Sequence, residues 1–208
     1  MSPTDAALPA LQVLDRHGRG LRVTWAFDGD RYAHEIAVVD GSAATVCLWS
    51  ELGRDRDPWP ASPPLQQDSR QASARGRAKA LFLGMAGSSH WSQSIESDDS
   101  GLAVLIFDVA CRVPVRPPWL GSTYRANAEL MALSPSCVRL EIAEGCHLTL
   151  TALTGQAPAA AFPCSLVVDA GQVAITSDLG QLQLPATVRW RYRIALDAAL
   201  VAPSNSTF

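Results

Sequence analysis

The chain has 208 residues, with 17 basic and 20 acidic side chains, a formal net charge of −3 at neutral pH, and 48% hydrophobic residues. This is an ordinary globular composition, which excludes disorder of the whole chain and provides enough apolar material for one core. The small, dispersed charge leaves no basic footprint for nucleic acid, so none is expected as a partner.

Residues 1–19 read as an N-terminal arm. From Leu21 onward apolar and polar residues alternate with period 2, bounded by Gly and Asp turns, and no long segment carries a 3.6-residue period. Strands are predicted over 21–28, 31–39, 43–49, 80–84, 89–96, 102–113 and 123–133, and then over 138–143, 147–153, 165–169, 172–176 and 187–196. The expectation is one mainly β domain, residues 1–208. It would be a single antiparallel β-sandwich or flattened barrel built from hairpins, with about 10–12 strands and little helix.

Loop lengths fix some registers, because a slip of one residue exchanges the two faces of a strand. A two-residue Gly29-Asp30 turn sets Phe27 against Tyr32, Trp25 against His34 and Val23 against Ile36. A second such turn at Asp40-Gly41 would set Tyr32 beside Trp49 and His34 beside Cys47. Around Glu144-Gly145, three loop residues or a bulge with Gly145 at positive φ would set Leu140 and Ile142 against Leu150 and Leu148.

Residues 50–78 break the pattern, since Pro58, Pro60, Pro63 and Pro64 oppose both helix and ladder. They read as a long Pro/Ser/Arg-rich loop, partly disordered, that Trp59 and Leu65 could pin down. Residues 202–208 read as a flexible tail.

Neither a leader pattern nor a membrane span is visible, as the most apolar run, 102–110, is interrupted by Asp108. The five cysteines, Cys47, Cys111, Cys137, Cys146 and Cys164, are odd in number and form no C-x-x-C spacing. Free thiols in a reducing cytoplasm are therefore expected, with no zinc site or other metal and no cofactor.

Several polar constellations stand out. The predicted strand at 89–96 sets His90, Ser92, Ser94 and Glu96 on one face, with Trp91 and Ile95 on the other. That row could line a cleft, although a solvated outer face is the commoner meaning. Asp108 interrupts a strand apolar on both sides, so it requires a partner from a neighbouring strand, and Arg112 on the same face is too far along the chain at about 13 Å. Candidate partners are Arg125 or an arginine of the last strand. His34 among aromatics reads as a core histidine or a ligand-binding group. In the last strand Arg189, Arg191 and Arg193 alternate with Val188, Trp190, Tyr192 and Ile194, giving a cationic stripe that pairs with neighbouring acids or docks a partner.

No nucleophile elbow, P-loop, dinucleotide fingerprint or zinc-protease motif occurs. No residue is therefore assigned a catalytic role. The favoured reading is a non-enzymatic module that binds a small molecule, sugar or protein partner. His34, His90, Trp91, Asp108 and Arg112 are its ligand-binding candidates, and Arg189, Arg191, Arg193 and Trp59 its partner-binding candidates. Binding through tryptophan would require Trp59 or Trp119 to face solvent beside a groove. The alternatives are an assembly protein forming a homo-oligomer, and a hydrolase using two carboxylates among Glu35, Glu96, Asp108, Glu129 and Glu141.

Overall fold

The computed structural model describes residues 8–53, 57–69, 79–98, 100–153 and 162–198. Part of the expected N-terminal arm (1–7), parts of the expected loop (54–56 and 70–78) and the expected tail (202–208) lie outside them. The described residues form fifteen strands and no helix. In chain order these are β1 (Leu11–Leu14), β2 (Arg19–Asp28), β3 (Arg31–Asp40), β4 (Ala43–Ser50), β5 (Gln67–Asp68), β6 (Lys79–Ala86), β7 (Ser89–Ser97) and β8 (Val104–Val113). They continue as β9 (Gly121–Ala126), β10 (Leu130–Ser134), β11 (Cys137–Ala143), β12 (Cys146–Ala152), β13 (Cys164–Asp169), β14 (Gln172–Ser177) and β15 (Ala186–Ala198).

Two antiparallel sheets pack face to face. The first has seven strands in the order β1-β2-β3-β4-β9-β14-β13, and the second has eight in the order β10-β11-β12-β15-β8-β7-β6-β5. The sandwich expected from the alternation is therefore present. Leu21, Val23, Ile36, Leu48, Val173 and Ile175 face Phe82, Ile95, Leu105, Phe107, Trp190 and Ile194, all fully enclosed, because period-2 patterning sends alternate side chains to the shared interior.

The first hairpin has the predicted register, with Phe27 opposite Tyr32, Trp25 opposite His34 and Val23 opposite Ile36. The second departs from prediction. Its turn is Gly41-Ser42, since Asp40 pairs with Ala43, and Cys47 is an extra residue between Ala37↔Val46 and Ile36↔Leu48. Trp49 consequently lies opposite Glu35 rather than beside Tyr32, and His34 meets Ser50, whose Oγ accepts the His34 amide at 2.9 Å. Asn127 anchors this bulge: its amide nitrogens donate to the carbonyls of Val46 at 2.6 Å and Cys47 at 3.2 Å. The same anchor divides the strand predicted at 123–133, ending β9 in the first sheet before β10 begins in the second.

At the Glu144-Gly145 hairpin Gly145 does take a positive φ, of 70°. The extra residue is Ile142 within β11, so Leu140 faces Leu148 and Val138 faces Leu150. Alternation survives in a register shifted from the predicted one.

Within 50–78 a described stretch lies against the sandwich. Pro60, Ser62, Pro63, Pro64 and Leu65 are buried. The Ser62 hydroxyl donates to the Thr123 carbonyl at 3.0 Å and accepts the Thr123 amide at 3.1 Å. Leu65 then bridges to Tyr32 in the first sheet, and two residues later Gln67 pairs with Leu83 in the second. This short segment ties the two sheets along one side. Gly84 permits it, since a Cβ there would overlap the Pro64 carbonyl oxygen.

Candidate functional site

The outer face of the seven-stranded sheet carries two neighbouring clefts with tryptophans in their walls. β9, β14 and β13 turn Thr123, Ala174 and Val167 outward as one cross-strand row, with Arg125, Gln172 and Asp169 as the next. Above all of these except Arg125 lies a groove of about 610 Å³, whose walls include Trp59, Trp119, Asp57, Thr123, Asp169 and Gln172. Each tryptophan is held from beneath. The Trp119 ring rests on Gly121, where a Cβ would stand 2.2 Å from the Ile175 carbonyl oxygen and 2.7 Å from the Trp119 Cζ2, so glycine allows both β14 and the indole to lie that close. Asp57 accepts the Trp59 amide at 2.9 Å, an Asx-type turn, while the half-buried Trp59 ring packs on the core.

The distribution of the tryptophans sharpens the picture. Of the six, Trp25, Trp91 and Trp190 are buried, whereas Trp49, Trp59 and Trp119 are half-buried in the walls of clefts on this one side. Indoles left partly open beside carboxylates and an amide can take an apolar ring face while polar groups hold its edge.

Apart from Trp59, the binding candidates singled out in the sequence lie outside this groove, with His34 bordering the cleft beside it. His34 is 3% exposed and points into the core, where its Nε2 lies 2.9 Å from the Tyr124 hydroxyl, which in turn lies 2.7 Å from that of Tyr192. Burial pushes the His34 imidazole down to about 4 and both tyrosines above their ordinary range. Trp91 is also interior and meets Trp190 edge-on. His90 and Arg112 are exposed cross-strand neighbours on the eight-stranded sheet, with His90 in the wall of a shallow cleft of about 350 Å³.

Asp108 lies opposite Arg191 and takes both ends of the Arg189 guanidinium, Nε donating to Oδ1 at 2.6 Å and Nη2 to Oδ2, with Arg191 Nε 3.4 Å away. That contact raises the Arg189 guanidinium further above its ordinary range. Two arginines of the stripe therefore hold one acid, and Arg193 remains exposed. Of the carboxylates considered for hydrolysis, Glu96 pairs with Lys79 at 3.5 Å, Glu129 and Glu141 are exposed, and Glu35 lines a second cleft beside the groove.

Trp59 is the one candidate that lies in the groove. Asp57, Thr123, Asp169 and Gln172 were not singled out by sequence, because they come from three separate stretches that only sheet order brings together. Outward alternation in the predicted strands at 165–169 and 172–176 was the available signal for two of them.

Among the described residues there is no cluster of three His, Cys, Asp or Glu side chains arranged to hold a metal. They contain no helix long and apolar enough to cross a membrane. The chain matches no protein-family model and has no match among the curated proteins.

Proposed function

We propose that this protein is a non-enzymatic binding module whose ligand is a saccharide held in the Trp59/Trp119 groove. The observation that carries the reading is the convergence of two half-open indoles with Asp57, Asp169 and Gln172 around one concave space. Its volume of about 610 Å³ falls within the range of about 300–1,000 Å³ usual for small-molecule sites. A pyranose offers an apolar C–H face for the indoles and hydroxyls for the carboxylates and amide, which matches the mixture present. The five cysteines are free thiols, and this supports a reducing compartment.

A panel of soluble saccharides, titrated calorimetrically against the wild type, Trp59→Ala and Trp119→Ala, tests the proposal. At least one saccharide is expected to bind, with affinity falling about tenfold or more in each variant while the fold is retained. The absence of binding across the panel, or affinities indifferent to both substitutions, would overturn it.

A hydrolytic reading has one specific observation in its favour: Asp57 and Asp169 line the same groove, and glycoside hydrolysis uses a carboxylate pair. Release of reducing ends that Asp169→Asn abolishes without loss of binding would favour it over simple binding.

A further inference from the structure

The same outer face continues past the groove, from β9 through β4 and β3 to β2. On the same outer face Thr24, Glu35, Trp49, Arg125, Gln172 and Asp169 are successive cross-strand partners, one from each of β2, β3, β4, β9, β14 and β13. Neighbouring strands lie about 4.8 Å apart, so the five steps span roughly 24 Å. The near half of this row lines a second cleft of about 570 Å³, with Trp49 half-buried in its wall beside Glu35, Glu51 and Arg125. Both clefts have Gly53 in their walls, and they occupy adjacent outward positions of β9, Thr123 in one and Arg125 in the other. Glu51 stands 3.4 Å from Arg125 Nε, which orients the guanidinium while leaving it largely exposed.

We propose that the ligand is an extended oligosaccharide lying across the strands, and that Trp49 with Glu35 and Arg125 forms a second subsite for its far end. The proposal rests on the saccharide reading of the Trp59/Trp119 groove and specifies the ligand's length and direction. The row repeats what a glycan chain needs: an aromatic platform in each cleft, with hydrogen-bonding side chains at every strand between them. A single sugar would fill one cleft and leave the other empty. A protein partner would favour a continuous apolar centre, whereas Val167 is the only large apolar side chain of this row and its neighbour that is prominently exposed. Two subsites joined by a covalent chain gain affinity through effective concentration, so binding should strengthen steeply with chain length.

The test uses β-1,4-glucan, xylan, chitin and α-1,4-glucan oligosaccharides of two and six rings, titrated against the wild type, Trp49→Ala, Arg125→Ala and Trp59→Ala. In the preferred series the six-ring ligand is expected to bind at least tenfold more tightly than the two-ring ligand. Trp49→Ala and the exposed Arg125→Ala should remove most of that gain and leave two-ring binding unchanged, while Trp59→Ala weakens both. If two-ring binding depends on Trp59 but chain length brings no gain, or if both Trp49→Ala and Arg125→Ala keep the full gain, the second subsite is overturned and the saccharide reading stands. Failure of every series to bind would overturn both.

Discussion

Acidification should destabilise this protein through one side chain, His34. The imidazole is enclosed, stacked on Phe107 at 6.1 Å between centroids, and its Nδ1 has no hydrogen-bond partner among the described residues. Among the described residues no acid pairs with that nitrogen, and burial lowers the native-state value from 6.5 to about 4. Above pH 6.5 the ring is neutral in both folded and unfolded chains. Between about 6.5 and 4 only the unfolded chain takes up the proton, so stability falls as pH falls, by about 1.4 kcal/mol per unit. The full loss, complete below the native value, is about 3 kcal/mol.

Asp30 acts in a different window. Its hydrogen bonds to Arg31 hold it below 3.8, and its contribution is lost only on going below that value. Urea unfolding followed by tryptophan fluorescence at intervals from pH 7.5 to 4.5 measures the slope. His34→Phe keeps an aromatic ring against Phe107 and leaves the Tyr124 hydroxyl bonded to that of Tyr192, and it should flatten the profile over this range. Equal slopes in the wild type and the variant would show that His34 does not carry the effect.

Three further substitutions probe the frame around the site. Asp108→Asn deprives Arg189 and Arg191 of their shared anion and should cost roughly 1–3 kcal/mol in urea unfolding; a change inside experimental error would mean that solvent screens the cluster. Gln93 is wholly buried on β7, with neither amide atom hydrogen-bonded among the described residues. Gln93→Leu should therefore raise stability by about 1–3 kcal/mol, and a loss on thermal or urea unfolding would show that the amide is satisfied in solution. Gly84→Ala forces the Pro64 carbonyl away from β6 and should lower stability by about 1–3 kcal/mol, with increased proteolysis near residues 62–68; an unchanged cleavage pattern would count against the tie between the sheets.

The sandwich was legible because period-2 alternation is a local signal, and the Trp25–His34 pairing followed from the length of a single turn. Where a bulge intervened, as at Cys47 and Ile142, the same reasoning gave a shifted register, because an extra residue stabilised by a distant group such as Asn127 leaves no trace in the local pattern. β1 and β5 are short, and their pairing depends on partners already in place. The burial of Pro60, Pro63 and Pro64 escaped prediction for a related reason: proline opposes a ladder but packs well beside one, and Ser62 supplies the hydrogen bonds to Thr123 that the prolines cannot.

Unusual polar residues proved a weak guide to the candidate site. Asp108 and the arginines drew attention because they interrupt or outline apolar strands, and they meet one another in a structural cluster. The groove is built from unremarkable outward positions on β9, β13 and β14 together with Trp59 and Trp119, and it becomes visible only once strand order is known.

The most direct measurement is a heteronuclear NMR titration of the six tryptophan indole N–H signals, assigned by substitution, with the saccharide that binds best in the screen. The signals of Trp59 and Trp119 should move together along one binding curve, while those of buried Trp91 and Trp190, which line neither cleft, stay in place. Shifts confined to Trp91 and His90 on the opposite sheet, or no shift at Trp59 and Trp119 under saturation, would contradict the assignment of the groove as the binding site.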